Sequence, residues 1–239
     1  MMETYTTPAI SLGRRPWRDN DLLINFYLPG RGKVELIARG AKKIKSKLAG
    51  HLEPLNFSNI MVVRGRQFDY VGSAVSGYCF KNIKDDWEKI WAAGYVVRTV
   101  DELIKNSEPD GSDNIFSALL DFLFLLERNK FNYLLGVNLF IFKILNLLGQ
   151  QPEINHCLVC ARMIAPETIK FSFNRGGIIC RPCYRRGEYR GEDLTLSREA
   201  VKVLRLAKQQ PDMLKLIKTP IKINIDQEIN NLIKLFLNY

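Results

Sequence analysis

The chain has 239 residues, 46% of them hydrophobic, enough for real cores in one large or two small domains. Its charge is lopsided: residues 1–83 carry 13 Lys and Arg against 6 Asp and Glu, residues 84–150 carry 7 against 10, and residues 151–239 carry 15 against 9. Two basic blocks flanking an acidic middle point to a polyanionic partner. The longest apolar run, Tyr133 to Leu148, is too short and too polar to cross a bilayer, and the N-terminus has neither the basic nor the apolar region of a secretory signal, so a cytosolic location is expected.

The first 80 residues read as five strands separated by Gly, Pro and charged turns: Pro8 to Leu12, Leu22 to Leu28, Lys33 to Ala38, Leu55 to Val63 and Tyr70 to Tyr78. In the second, Leu22, Ile24, Phe26 and Leu28 alternate with Leu23, Asn25 and Tyr27, the period of a strand with one face in a core. Five short strands in this length suit a small closed barrel of the OB type, with an SH3-like barrel as the alternative. Cys79 is expected as a small core residue.

Between the third and fourth strands lies a cationic arm. With Arg31 and Lys33 before it, Arg39, Lys42, Lys43, Lys45 and Lys47 make seven basic residues in 17 positions against Glu35 alone. Gly40 and Ser46 suggest a flexible loop, and the spacing sends charge to several sides, which suits tracking phosphates more than reading base edges. The alternative is an ordinary solvated loop. Trp17, Tyr27, Phe57 and Phe68 could stack on unpaired bases, although a small barrel fills its interior with such side chains and the core is the expected place for each.

From Asp85 the period turns helical. Trp87, Ile90, Trp91, Gly94, Tyr95, Arg98 and Glu102 form an i, i+3, i+4 series whose apolar part is expected to pack inward. Pro109-Asp110-Gly111-Ser112 ends that helix, and Asp113 is the expected cap of a second, running to about Arg128. A third, Phe131 to Leu148, is apolar on nearly every face and stops at Gly149, as befits the buried axis of a helical domain. Ser197 and Asp226 are expected to cap two further helices.

Between the third helix and these last two stand Cys157-Leu-Val-Cys160 and Cys180-Arg-Pro-Cys183, with 19 residues between the pairs. Two facing CxxC turns make a closed tetrahedral site for one structural zinc, with no open position for a substrate. Disulfides need an oxidising compartment, and a thioredoxin-type dithiol needs one CxxC, not two. Gly176 and Gly177 let the chain double back between the pairs, and His156 is expected outside the ligand shell. The expected architecture is α+β and multidomain: an OB-fold domain at 1–80, then a helical domain at 81–239 with a zinc ribbon inserted at 151–192.

Taken together, Gly32-Lys33, Ala38-Arg39-Gly40-Ala41-Lys42-Lys43 with Ser46, Leu52-Glu53-Pro54, Phe142 through Gly149 with Pro152 and the first knuckle, Gly176-Gly177-Ile178-Ile179-Cys180 and Leu196 through Ala200 resemble the RecO family of bacterial DNA repair and recombination mediators, nearly end to end. The resemblance implies the same two-domain architecture and a non-enzymatic role: binding single- and double-stranded DNA, annealing complementary strands, and acting with RecR to load RecA onto DNA covered by single-stranded-DNA-binding protein. It also implies that the helical domain receives the acidic, apolar C-terminal tail of that coating protein; Arg128, Lys130 and Lys143 are basic residues of that domain, read here as ordinary solvated side chains. Some members of the family lack the cysteines, whereas this sequence keeps all four.

Enzyme motifs are missing from the sequence: no GxxxxGK[ST], HExxH, GxSxG or DxDxDG occurs, and two histidines leave little for acid–base work. Asp85-Asp86 and Asp101-Glu102 fit a helix start and a helix face better than a two-metal site. The rival readings are an RNA-binding or transcription-associated zinc-ribbon and barrel protein, and a purely structural adaptor. A preference for the 2′-hydroxyl would mark the first, and no salt-dependent nucleic-acid affinity the second.

Overall fold

In the computed structural model, residues 3–104, 112–167, 169–187, 193–209, 216–217 and 224–237 are described. By compactness the chain divides into a unit ending at Asn129 and a second from Lys130 onward.

Five strands of the first unit close a barrel: β1 Thr4–Pro16, β2 Leu22–Leu28, β3 Gly32–Ala38, β4 Phe57–Val63 and β5 Tyr70–Tyr78, in the order β1-β2-β3-β5-β4. The first strand is longer than the sequence suggests because it serves two neighbours. Its first half pairs with β4 (Thr4 opposite Val63), its second half with β2 (Pro16 opposite Leu22), and the register shifts between Ser11 and Gly13. A parallel contact, Ile37 beside Tyr70, closes β3 on β5. This is the OB-like order expected.

The alternation in β2 does place Leu22, Ile24, Phe26 and Leu28 in the barrel core. Yet Leu23 and Tyr27 on its outer face are buried too, because helices cover that face. The first unit adds α1 Lys81–Lys84, α2 Trp87–Leu103 and α3 Ser112–Arg128, and α2 and α3 pack on the strands. Asn25 on β2 donates to the Asp101 carboxylate of α2 at 3.2 Å. Deeper in, the Glu127 carboxylate of α3 accepts the first backbone N–H groups of α1, from Asn82 at 3.2 Å and Ile83 at 3.0 Å.

Helix α2 is turned the other way from expectation. Ala92, Ala93, Val96, Val97 and Val100 are buried, while Trp87, Ile90 and Trp91 are exposed. Small side chains let the helix axis approach its neighbours closely, which two tryptophans would prevent. Lys89 lies on the buried face and extends its ammonium to the Glu127 carbonyl at 3.3 Å. The acids at the helix start behave as expected: Asp86 caps α2 by accepting from the N–H groups of Glu88 and Lys89.

Cys79 is exposed, contrary to its expected place in the core. At that point the chain leaves the barrel, held by Tyr78, Phe80 and Phe124, whose ring centroids lie 4.9 to 5.2 Å apart. The cysteine between the two anchoring rings therefore faces solvent.

In the second unit α4, Tyr133–Leu147, is buried along most of its length and touches both later long helices, α6 Arg198–Gln209 and α7 Ile225–Leu237. It is the buried axis that its composition implies. Its cap is Asn132, whose side chain accepts from Leu135 N–H at 3.1 Å. Ser197 caps α6 through Ala200 N–H at 3.2 Å. Asp113 and Asp226, by contrast, lie inside the first turns of α3 and α7, each the second residue of its helix. Both still favour the helix through its dipole. Residues 109–111 of the expected helix break lie outside the described residues. Among the described residues no helix is long and apolar enough to cross a membrane.

Candidate metal centre and nucleic-acid interface

A three-stranded sheet that the sequence reading did not foresee, β7-β6-β8, carries the cysteine region; its strands are β6 Ile169–Ser172, β7 Gly177–Ile179 and β8 Asp193–Leu196. The first knuckle is a tight turn in which Ala161 N–H bonds the Cys157 carbonyl at 2.9 Å. The second opens the short helix α5, Arg181–Arg185, with Cys180 just before it and Cys183 inside it. Backbone bonds tie the two together, Leu158 N–H to Ile178 carbonyl at 3.0 Å and Glu153 N–H to Gly176 carbonyl at 2.9 Å. The two glycines serve different needs. Gly176 adopts a left-handed φ of 68°. Gly177 makes room, since a Cβ there would stand 2.9 Å from the Glu153 side chain and carbonyl.

All four sulfurs lie within 4.8 Å of one another, and Cys160 and Cys180 Sγ are 3.8 Å apart. A tetrahedron with bonds of about 2.3 Å has edges of roughly 3.8 Å, so the donor set fits a thiolate-bound metal. Electrostatics prepares it. Hydrogen bonding from the Arg162 side chain and backbone lowers the Cys160 thiol to about 6. Burial pushes Cys157 up, but backbone N–H groups of Cys180, Cys160 and Val159 outweigh it and leave the thiol below its usual value. Burial holds Cys180 above. His156 is exposed, its ring 3.6 Å from Glu153, and takes no part in the cluster.

The seven candidate phosphate-binding residues do not form one patch. Along the β2–β3 ladder Leu22 faces Ala38 and Leu28 faces Gly32, so Arg31 and Arg39 sit beyond opposite ends of β3, ends that at about 3.3 Å per residue are themselves some 20 Å apart. Lys33 is spoken for: its ammonium lies 2.8 Å from an Asp101 carboxylate oxygen and 2.8 Å from the Asp101 carbonyl, and the side chain is only 15% exposed. Arg31 lies over the Tyr5 ring at 4.3 Å.

Lys42, Lys43, Lys45 and Lys47 are all exposed. Their backbone is not the loose loop that Gly40 and Ser46 suggest, but a run of turns pinned to the barrel. Gly40 N–H bonds the Asp21 carboxylate at 2.8 Å, Lys42 N–H the Asn20 carbonyl at 3.0 Å, and Ser46 N–H the Lys43 carbonyl at 2.9 Å. Ala41 and Leu52 insert into the barrel core and Leu48 packs against it. The cations are thus held out on a fixed base.

Three loops meet at this end. Asn20 and Asp21 belong to the β1–β2 loop; Arg39 stacks on Tyr70 at 3.8 Å, at the start of β5; and Trp17 meets Phe68 of the β4–β5 loop edge to face at 5.4 Å. Phe68 is exposed and Trp17 half-buried, whereas Tyr27 is buried and Phe57 is half-buried against Phe116. Exposed Arg18 and Arg66 on the same loops were not singled out in the sequence, where each stands alone between other residues. A second basic surface lies in the other unit: a groove of about 420 Å³ floored by Ile169 and Ile179 and edged by Lys170, Arg181, Tyr184 and Arg185.

An OB-like barrel with basic loops, followed by a helical unit built around a four-cysteine ribbon, defines a barrel-and-ribbon protein with cationic surfaces. The sequence matches Recombination protein O N terminal over residues 2–77 and Recombination protein O C terminal over residues 84–239. The chain belongs to the RecO family. Its relatives include the DNA repair protein RecO of Desulforamulus reducens, 29% identical over 238 residues, which covers 100% of this chain and 90% of the relative. The RecO proteins of Roseiflexus sp. (31% over 210 residues, 87% of this chain and 71% of the relative) and Dehalococcoides mccartyi (32% over 203 residues, 84% and 77%) are similar. The two matches part between residues 77 and 84, while compactness divides the chain after Asn129, because α2 and α3 pack on the barrel.

Proposed function

We propose that this chain is a recombination mediator that binds single- and double-stranded DNA without reading sequence, anneals complementary strands, and acts with RecR to help load RecA onto DNA coated by single-stranded-DNA-binding protein. The observation that carries the reading is the meeting of three loops at one end of the barrel, with four exposed lysines on a pinned base beside the Trp17–Phe68 pair. In OB barrels the β1–β2 and β4–β5 loops and the face of strands 2 and 3 hold oligonucleotides. Here α2 and α3 occupy that face, which leaves the loop end. Exposed lysines neutralise phosphates, and aromatic faces take unpaired bases. Annealing then needs only screening of two polyanions, not covalent chemistry.

Zinc is the ion proposed for the four cysteines, since a closed set of four thiolates at these separations suits it and leaves no position for a reactant. Its role is to hold the ribbon, a segment with little core of its own. The coating protein's acidic, apolar tail suits the cleft of about 200 Å³ between α4 and α6, where Phe142 and Leu147 lie beside Lys143 and Lys208. The domain reading that goes with this function is a DNA-binding barrel at 1–80 and a partner-binding helical part at 81–239. The expected setting is the cytoplasm, on the nucleoid.

The test is annealing of two complementary, fluorescently paired oligonucleotides, naked and coated. The protein is expected to accelerate both reactions without ATP, and removal of the tail from the coating protein to abolish only the second. No acceleration of naked strands at stoichiometric protein and low salt refutes the mediator reading; a marked preference for RNA in the same assay puts an RNA-binding protein in its place.

A further inference from the structure

At the tip of the cationic arm an apolar side chain is turned wholly to water. Ile44 is 105% exposed, whereas Ala41 and Leu52 on either side of it are buried in the barrel core and Leu48 packs against that core. The backbone explains its place. The Lys43 carbonyl accepts the Ser46 N–H at 2.9 Å, closing a tight turn whose two middle residues are Ile44 and Lys45. That turn stands on a pinned base, with Gly40 N–H on the Asp21 carboxylate, Lys42 N–H on the Asn20 carbonyl and Leu48 N–H on the Ser46 hydroxyl at 3.3 Å. A fixed loop thus holds an uncovered isoleucine away from the barrel. Folding gains nothing from it, and apolar surface left in water is unfavourable.

The surroundings of the tip say what covers it. Lys42, Lys43, Lys45 and Lys47 are exposed around it, and no acidic residue occurs between Arg39 and His51. Asp21 meets the arm at its base, through Gly40. A fitting partner presents negative charge on its outside and apolar surface between the charges. Stacked base pairs between two rows of phosphates have that arrangement, and proteins that kink DNA insert isoleucine, leucine or phenylalanine between base steps. A β-branched side chain is stiff at χ1, so little freedom is lost on insertion. It has no aromatic face, so the stacking on unpaired bases open to Trp17 and Phe68 is closed to it. An anionic lipid surface shares the outer charge but fits less well, because surface-seeking segments spread apolar residues along a helix face, whereas the apolar tip here is a single residue on a turn.

On the DNA-binding role proposed above, we infer that Ile44 is a wedge: it inserts between neighbouring base pairs of a bound duplex while the lysines around it hold the phosphates on either side. A step opens most readily where stacking is weakest, so the wedge favours flexible TA and CA steps, and mispaired bases above both. In a protein that anneals strands this acts on register. A correctly paired duplex resists the wedge, and a mispaired one yields to it.

The test is the fluorescence of an aminopurine placed beside a TA step of a duplex, at low salt, with the full-length chain. Unstacking brightens this base. The wild type is expected to brighten it severalfold, more at a mispaired step and less within an A-tract, whose steps are stiff. Ile44→Ser is expected to abolish the brightening and to weaken duplex binding about three- to tenfold, because burial of the side chain is partly offset by the unstacking it requires. Its salt slope and melting temperature stay those of the wild type, since no charge and no internal contact is removed. Ile44→Phe, a larger wedge, is expected to keep the brightening. Salt-dependent duplex binding without brightening, brightening indifferent to Ile44→Ser, or brightening no greater at a mispaired step than in an A-tract overturns the wedge and leaves the DNA-binding role standing. No duplex binding at low salt removes both. Loss of binding to anionic vesicles in Ile44→Ser, with DNA binding and brightening unchanged, assigns the tip to a lipid surface and also overturns the wedge.

Discussion

Replacing Lys42 and Lys43 by alanine, and Lys33 by alanine in a separate chain, tests which cations face the phosphates. Lys42 and Lys43 are exposed on turns anchored by Ala41 and Leu52, so their removal leaves the barrel intact. If each contacts one phosphate of a single strand, the slope of log affinity against log salt becomes shallower by about 0.7 per lysine, roughly 1.4 in all. Between about 50 and 200 mM salt the wild type then loses about sevenfold more affinity than the double variant. Lys33 predicts the opposite pattern. It is held by Asp101 at 2.8 Å and is largely out of solvent, so its loss leaves a half-buried carboxylate with Asn25 as its remaining side-chain partner. Removing such a charge-assisted bond costs about 2 kcal/mol, which lowers the melting temperature by roughly 5 °C or more. The slope stays put. Fluorescence anisotropy with a labelled oligonucleotide across a salt series, beside a thermal melt, reads both. A salt slope that flattens for Lys33→Ala as much as for the lysine pair, or that ignores the pair, refutes the assignment of the arm and shifts attention to the groove edged by Arg181 and Arg185.

Two shorter predictions follow from the same geometry. Trp17→Ala with Phe68→Ala removes the edge-to-face aromatic pair beside the arm, half-buried Trp17 and exposed Phe68, and is expected to weaken single-stranded binding by about 1–3 kcal/mol per stacked base while sparing duplex DNA, whose bases are not free to stack; equal losses on both forms count against stacking. Arg162→Ala removes the hydrogen bond that holds the Cys160 thiol near 6. Metal binding needs the thiolate, so protons compete with the metal once pH is below the free thiol's own value, and a higher thiol pKa moves release to higher pH. Zinc release followed by a chromogenic chelator during acid titration is expected to shift upward in pH, and an unchanged midpoint contradicts it.

Much of this molecule is written locally. The bounds of β2 and β5 follow from the Gly, Pro and charged turns that flank them, with period-two alternation in β2 as well, and the buried course of α4 follows from its being apolar on all sides. Two CxxC pairs at knuckle spacing bring four thiols together wherever the intervening chain goes, since each pair is already a turn. What the sequence could not settle are choices between faces and between ends. An amphipathic period says that α2 has two faces, and hydrophobicity favours burying Trp87, Ile90 and Trp91. Packing chose the alanines and valines because only small side chains let the helix lie close. Arg31 and Lys33 are near the arm in sequence but part from it across the length of β3, and Lys33 is claimed by an aspartate 68 residues away. Tyr27 alternates correctly as an outward residue and is buried all the same, under helices that local periodicity knows nothing about. Arg18 and Arg66 join the arm only because three loops, distant in sequence, close one end of the barrel. Spacing determines what a segment can be; long-range contacts, paid for in loop closure and visible only in the folded chain, decide which of its surfaces is left for a partner.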